Sequence, residues 1–254
     1  MSRYVDVHAH ITEDIFKQDR DMILKECEEK NITVITCGTS VKSNRKVLKL
    51  VEKNPNVKAC LGFYPVDLLK VSDKEFFEEL RFIEDNRHKI VGLGEVGVDF
   101  YWVKDDKERK KEIERFQEII WLANKLNLPL NVHTREATKE SITMLAKSAH
   151  VPVNLHAFSG DLDEVNLAIK NGFFFSIPTN VVYNKRRQNL VMHLPIDNIL
   201  TETDCPYLGP EPKERNDPRN IPLAVEKIAE LKGLCHEEVK STIWENAKKA
   251  FRLG

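Results

Sequence analysis

The sequence predicts an α/β protein folded as one (β/α)8 TIM barrel that takes up the whole chain, residues 1–254. Three observations predict it. Eight short apolar runs alternate with amphipathic stretches from one end of the chain to the other. The first run is not followed by the G-x-G-x-x-G turn that an open dinucleotide-binding sheet carries. Histidines and carboxylates interrupt the runs at their C-terminal ends, and in a parallel barrel those ends share one mouth.

Taken in order, the candidate strands are YVDV (4–7), ITVITC (32–37), VKACLG (57–62), IVGLGEV (90–96), LPLNVH (128–133), PVNLHAF (152–158), GFFFSI (172–177) and NILTETD (198–204). Helical patterns fill the gaps. Ser72 and Glu75 make a capping box ahead of Phe76, Leu80 and Ile83. Ile113, Phe116, Ile120, Ala123 and Leu126 recur at three- and four-residue steps, one apolar face of a helix. Val239, Ile243, Ala247 and Phe251 give the face of a last helix. Strand, helix and strand in repetition imply parallel neighbours, because each crossover has to return over the sheet. The one long polar stretch, GPEPKERNDPRNIP (209–222), follows the eighth run, where a barrel carries an active-site loop. No linker or low-complexity segment divides the chain.

Composition narrows the function classes. Hydrophobic residues make up 41% and charged residues 31%, the proportions of a globular protein with a sizeable core. A net charge of −1 excludes recognition of nucleic acid by overall charge, so any such contact has to come from a local patch. Cys27, Cys37, Cys60, Cys205 and Cys235 are scattered and form no C-x-x-C pair, which predicts reduced thiols and a cytoplasmic protein. The opening MSRYVDVHAH has no basic-then-apolar leader, and no apolar run approaches the ~18 residues of a membrane span.

The chemistry collects at the strand ends. His8 and His10 close the first run, Glu95 the fourth, His133 the fifth, His156 the sixth and Asp204 the eighth. Alternate residues of a strand point to the same side, so His8 and His10 share a face. Each residue alone has a bland reading: an incidental H-x-H, a buried hydrogen-bonded acid, a helix cap, a turn residue before Pro206. Together they are a metal site, because a carboxylate inside an apolar strand is costly unless it is paired or metal-bound. Imidazole with carboxylate suits Zn, Mn, Fe or Mg. His88, His150, His193 and His236 lie in helices or connections and read as surface or cap groups. Cys205 has no base beside it and reads as packing. YNKRRQ (183–188) reads as a solvated helix start, although barrels often grip phosphate after strand seven.

The motifs DVHAH, GLGEVGVDFY, NVHTREA, LHAFSG, TETDCPYLGP, ERNDPRNIP and a closing ENAKKAFRL, in this order, resemble those of the TatD family of metal-dependent deoxyribonucleases within the amidohydrolase superfamily. The resemblance runs the length of the chain. It implies a TIM barrel with a two-metal centre. His8 and His10 with Asp204 would hold one metal, His133 and His156 the second, and Glu95 would bridge them. One carboxylate can ligate two ions, which an imidazole cannot. Two cations ~3.5–4 Å apart clamp the attacking and departing oxygens of a phosphodiester, and Asp204 would accept the proton of the attacking water. One position departs from the family pattern. Where a His-Pro pair is usual after the third strand, GFYPVD carries Tyr64, which can donate a hydrogen bond to substrate but holds no charge at pH 7.

The expected function is therefore a divalent-metal-dependent hydrolase, with two Mg, Mn or Zn ions, that cleaves DNA; 3′–5′ exonuclease action on single strands or 3′ ends is what the resemblance alone implies. Tyr64, Arg135, Lys185, Arg186 and Arg215 are the candidate substrate contacts. Hydrolysis of an ester or amide, as by a D-aminoacyl-tRNA deacylase, is the second possibility, since the same groups could attack a carbonyl. A metal-stabilised scaffold without turnover is the third. The ligand set argues against it, because a structural site needs four ligands and no open position. A monomer is compatible with the sequence, which does not set the oligomeric state.

Overall fold

The computed structural model describes residues 2–253. Its strands are β1 (Tyr4–Ala9), β2 (Ile32–Cys37), β3 (Val57–Leu61), β4 (Gly92–Gly97), β5 (Leu130–His133), β6 (Val153–His156), β7 (Phe174–Pro178) and β8 (Ile199–Glu202). They form one sheet in sequence order, each parallel to the next. β8 returns to β1: the Thr201 hydroxyl donates to the Val5 carbonyl at 2.6 Å and the Asp204 N–H to the His8 carbonyl at 2.8 Å. The sheet thus curls into the (β/α)8 TIM barrel that the alternation predicts.

The boundaries shift by a residue or two. β1 runs on to Ala9, so that His8 lies inside it and His10 just past it. β8 stops at Glu202, which leaves Asp204 on the loop beyond, in the left-handed region at φ 54°. Short polar side chains tolerate that region better than most.

The helices wrap the outside as α1 (Arg20–Glu29), α2 (Val41–Val51), α3 (Pro65–Leu69), α4 (Asp73–Asp85), α5 (Asp106–Leu126), α6 (Thr138–Ser148), α7 (Leu162–Lys170), α8 (Lys185–His193), α9 (Ile221–Lys232) and α10 (His236–Phe251). The Ser72–Glu75 capping box forms as expected at the start of α4. In α5, Phe116, Ile120 and Ala123 are buried, whereas Ile113 and Leu126 are half-buried at the edge of the core. Val239, Ile243, Ala247 and Phe251 are all buried along α10. Among the described residues, no helix is long and apolar enough to cross a membrane.

Polar side chains also fill the barrel interior. His8 on β1 bonds Asn131 on β5, and those strands are not neighbours in the sheet. Such a bond can only pass through the inside of the barrel. One glycine is required here. Gly97, at φ 143°, lies so close to β5 that a Cβ would sit 2.0 Å from the His133 carbonyl oxygen. Any other residue at 97 would push β4 and β5 apart where the site is built.

Candidate metal centre

His8 Nε2 and His10 Nε2 lie 3.1 Å apart. Glu95 Oε2 is 3.6 Å from the first and 3.3 Å from the second. Asp204 Oδ1 is 3.8 and 3.4 Å from the same two atoms. The other Glu95 oxygen, Oε1, faces the second pair of histidines, at 3.0 Å from His133 Nδ1 and 3.8 Å from His156 Nε2. All six candidate ligands therefore meet at one place, with the two oxygens of Glu95 turned to two pairs of imidazoles.

The outer hydrogen bonds decide which ring nitrogens face inward. Asn131 Nδ2 donates to the Val7 carbonyl at 2.7 Å, which fixes its Oδ1 as an acceptor. That oxygen lies 3.1 Å from His8 Nδ1. His8 Nδ1 must carry the hydrogen, and its Nε2 turns a lone pair to the centre. His10 Nδ1 donates to the Cys37 carbonyl at 3.3 Å, His156 Nδ1 to Glu202 Oε2 at 3.0 Å, and His133 Nε2 to Asp99 Oδ2 at 2.9 Å. Four imidazoles thus aim lone pairs at two carboxylates in a buried space. Lone pairs facing lone pairs repel unless cations or protons lie between them, so this donor set fits divalent cations.

Two of these supports are linked through the barrel. Asn154 Nδ2 donates to Asn131 Oδ1 at 3.0 Å and to Ser176 Oγ at 2.9 Å, and Ser176 Oγ donates to Glu202 Oε2 at 2.5 Å. Glu202 Oε1 accepts from the Ala157 N–H at 2.8 Å. The chain Asn131–Asn154–Ser176–Glu202 therefore joins the back of His8 to the back of His156.

The charges follow the geometry. Burial pushes Glu95 up, but His10, His133 and His8 outweigh it and hold the carboxyl well below the usual range. Burial likewise opposes ionisation of Asp204, and His156, His10 and His8 reverse it to a net lowering. Burial disfavours protonated His133, yet the Asp99 and Glu95 carboxylates push it up to about 9. Positive charge is strongly favoured among these ligands, as a cation site requires.

The centre forms the floor of a cavity of about 720 Å³. Tyr64, Trp102, Arg135, Arg187 and Tyr207 stand on its wall. The Arg135 guanidinium sits 3.7 Å from the Tyr101 ring centroid. Tyr64 lines the cavity too, but its hydroxyl donates to Asp99 Oδ2 at 2.8 Å. Its proton is thereby committed, so the expected donation to substrate gives way to support of the Asp99–His133 pair.

Three expected substrate contacts do not line the cavity. Lys185 and Arg186, exposed at the start of α8, bond Gln188 Oε1 and the Ser159 carbonyl; the helix turns the next residue, Arg187, inward instead. Arg215 faces away, held by the Asp19 carboxylate and the Ile15 carbonyl. His88, His150 and His193 are exposed, and His236 lies against Tyr4.

The family model described as TatD related DNase matches residues 5–252. The chain belongs to the TatD family. It is 35% identical over 259 residues to human deoxyribonuclease TATDN3, covering 97% of this chain and 94% of that one. It is 32% identical over 258 residues to the protein named uncharacterized metal-dependent hydrolase YabD of Bacillus subtilis, covering 98% and 99%. The TatD homologue YJJV of Escherichia coli superposes with a TM-score of 0.89 at 23% identity, over 100% and 99% of the two chains, and so shares the fold. This TatD-family chain is a metal-dependent hydrolase whose histidines and Glu95 are positioned to bind metal ions.

Asp99 and Glu202 were not among the expected site residues. Both are carboxylates close in sequence to expected ligands, Asp99 four residues after Glu95 and Glu202 two before Asp204, and that proximity was the one signal available. Arg187 carried no such signal, because the phase of α8 at its first turn selects it over its neighbours.

Proposed function

We propose that this protein is a divalent-metal-dependent deoxyribonuclease of the 3′–5′ exonuclease type, acting on single-stranded DNA or 3′ ends. The observation that carries the reading is Glu95, with one oxygen toward His8 and His10 and the other toward His133 and His156. A carboxylate so placed belongs to a two-ion clamp, the arrangement suited to in-line displacement at phosphorus. His8, His10 and Asp204 would hold one ion and His133 and His156 the second, with Glu95 shared between them. Mg, Mn and Zn all suit the mixture of imidazole and carboxylate. When bound, such a pair supplies Lewis acidity to the phosphoryl oxygens and lowers the pKa of water.

The remaining work falls to the chain. Asp204 takes the proton of the attacking water on its carboxylate, which is more open to the cavity than that of Glu95, 14% against 4% exposed. It is anionic at neutral pH and ready to accept. Arg135 and Arg187 bring positive charge to the cavity wall and orient the phosphates. Tyr64 holds Asp99, and Asp99 holds His133. One barrel carries the activity, and five free cysteines, four of them buried, suit the reducing cytoplasm. The test is hydrolysis of labelled single-stranded DNA, RNA and a D-aminoacyl-tRNA side by side, with Mg, Mn, Zn or a chelator. Metal-dependent, stepwise shortening of the DNA is expected. Release of the aminoacyl group with intact DNA would move the reading to an acyl hydrolase.

A further inference from the structure

Two large aromatic side chains on the wall of the metal cavity are left in solvent. Trp102 is 60% exposed and Tyr207 57% exposed. Both line the cavity. Trp102 stands on the loop after β4 and Tyr207 on the loop after β8. In an eight-stranded barrel in sequence order, those strands lie on opposite sides, so the rings stand across the mouth from each other.

Their backbones are fixed. The Trp102 and Tyr101 N–H groups donate to Asp99 Oδ1 at 3.0 and 2.9 Å, and Asp99 also holds His133. The Tyr207 N–H donates to the Asp204 carbonyl at 2.8 Å, and the Tyr207 carbonyl accepts from Asn216 Nδ2 at 2.8 Å. The backbone that carries each ring is thus tied to a residue of the site, while more than half of each side chain stays exposed; Trp102 also packs edge-to-face with Tyr101, ring centroids 4.8 Å apart. Arg135 adds charge on one side, with its guanidinium 3.7 Å from the Tyr101 centroid and 5.7 Å from that of Trp102. Exposed aromatic rings on an anchored backbone, beside a cation, are the elements of a base-stacking platform.

We propose that Trp102 and Tyr207 form a base-stacking subsite for the unpaired nucleobases that flank the scissile phosphate. The inference rests on the nuclease reading above and specifies how the strand is held. Bases inside a duplex are already stacked and cannot offer their faces to these rings, so the subsite selects single strands and frayed ends. Every base has a π-face, so selection by sequence is weak.

The test is a binding measurement in chelator, without turnover. A fluorescein-labelled oligothymidylate and an abasic strand of the same length are titrated with the parent, Trp102→Ala, Tyr207→Ala, the double variant and Trp102→Phe. Anisotropy gives the affinity, and thermal melting checks the fold of each. Each alanine change should weaken oligothymidylate binding by about 5–150-fold, leave abasic-strand binding unchanged, and be largely rescued in Trp102→Phe. Equal loss for both strands would assign the rings to structure or charge and overturn the proposal. Parental affinity in the double variant would overturn it as well. DNA cleavage that persists alongside either result would leave the nuclease reading standing, whereas a parent that neither binds nor cleaves DNA removes both.

Discussion

His8 and Asn131 meet through the middle of the barrel, with Nδ1 and Oδ1 3.1 Å apart. The bond sets the tautomer of a metal-facing histidine from the far side of the sheet, and the amide is itself held by Val7 and Asn154. Loss of such a support typically lowers metal affinity by 10–100-fold. Asn131→Leu should therefore weaken Mn binding by about that factor, and lower stability by about 1–3 kcal/mol because Asn154 and the Val7 carbonyl lose a partner. Calorimetric titration and thermal melting read the two effects. An unchanged affinity would mean that the ring is oriented without Asn131.

Glu95→Ala removes a group that faces both pairs of histidines. Two cations would then repel each other with less negative charge between them. We expect metal content to fall at both sites and activity to vanish while the fold persists, as read by elemental analysis, turnover and circular dichroism. Near-parental turnover would contradict the bridging role.

Asp204→Asn separates proton transfer from coordination. The amide keeps the shape and one oxygen but loses the basicity. A general base contributes typically ~10²–10⁴-fold in rate, so kcat should fall by about that much while KM changes little. Metal content should drop less than in Glu95→Ala, since Asp204 serves one site. Parental single-turnover rates with full metal would send the search for the base elsewhere on the cavity wall.

Glu112 gives a pH signature from outside the metal-ligand set, with the charges of Asp99 and His133 acting on it. It is fully buried on α5 and neither carboxylate oxygen makes a well-formed hydrogen bond among the described residues; burial, opposed by the nearby Asp99 backbone N–H, pushes its pKa up to about 8 from an ordinary 4.5. A carboxyl raised on folding contributes stability that is fully present below the unfolded pKa and lost as pH climbs through the folded one. The parent should therefore lose on the order of a few kcal/mol between pH 4.5 and 8 through this group. Glu112→Gln should show little of that loss, so the two melting temperatures should diverge in favour of the variant from pH 5 to pH 8. Parallel melting curves would mean that Glu112 ionises freely in the fold.

Most of this architecture was legible because its signals are local. Eight apolar runs gave all eight strands, and the histidines at their ends gave the convergence, since parallel strands bring their C-terminal ends to one mouth. What escaped depends on registers and helix phases that sequence does not print. Arg215 sits in the expected active-site loop, yet Asp19 beside α1 draws it outward. Arg186 and Arg187 are adjacent, and only the second reaches the cavity. Tyr64 stands at the expected place, but the proton it was expected to offer is held by Asp99. The chain from Asn131 to Glu202 was invisible for another reason: buried amides and hydroxyls carry no signature until the strands that bear them are closed into a ring.

The measurement that most directly tests the account is a titration of the metal-free protein with Mn, in which bound metal and cleavage of a labelled single-stranded oligonucleotide are followed on the same samples. The account predicts no cleavage in chelator, binding that saturates at two ions per chain, and full cleavage only when the second ion is bound. Cleavage that survives chelation, or binding that stops at one ion with full activity, would contradict it.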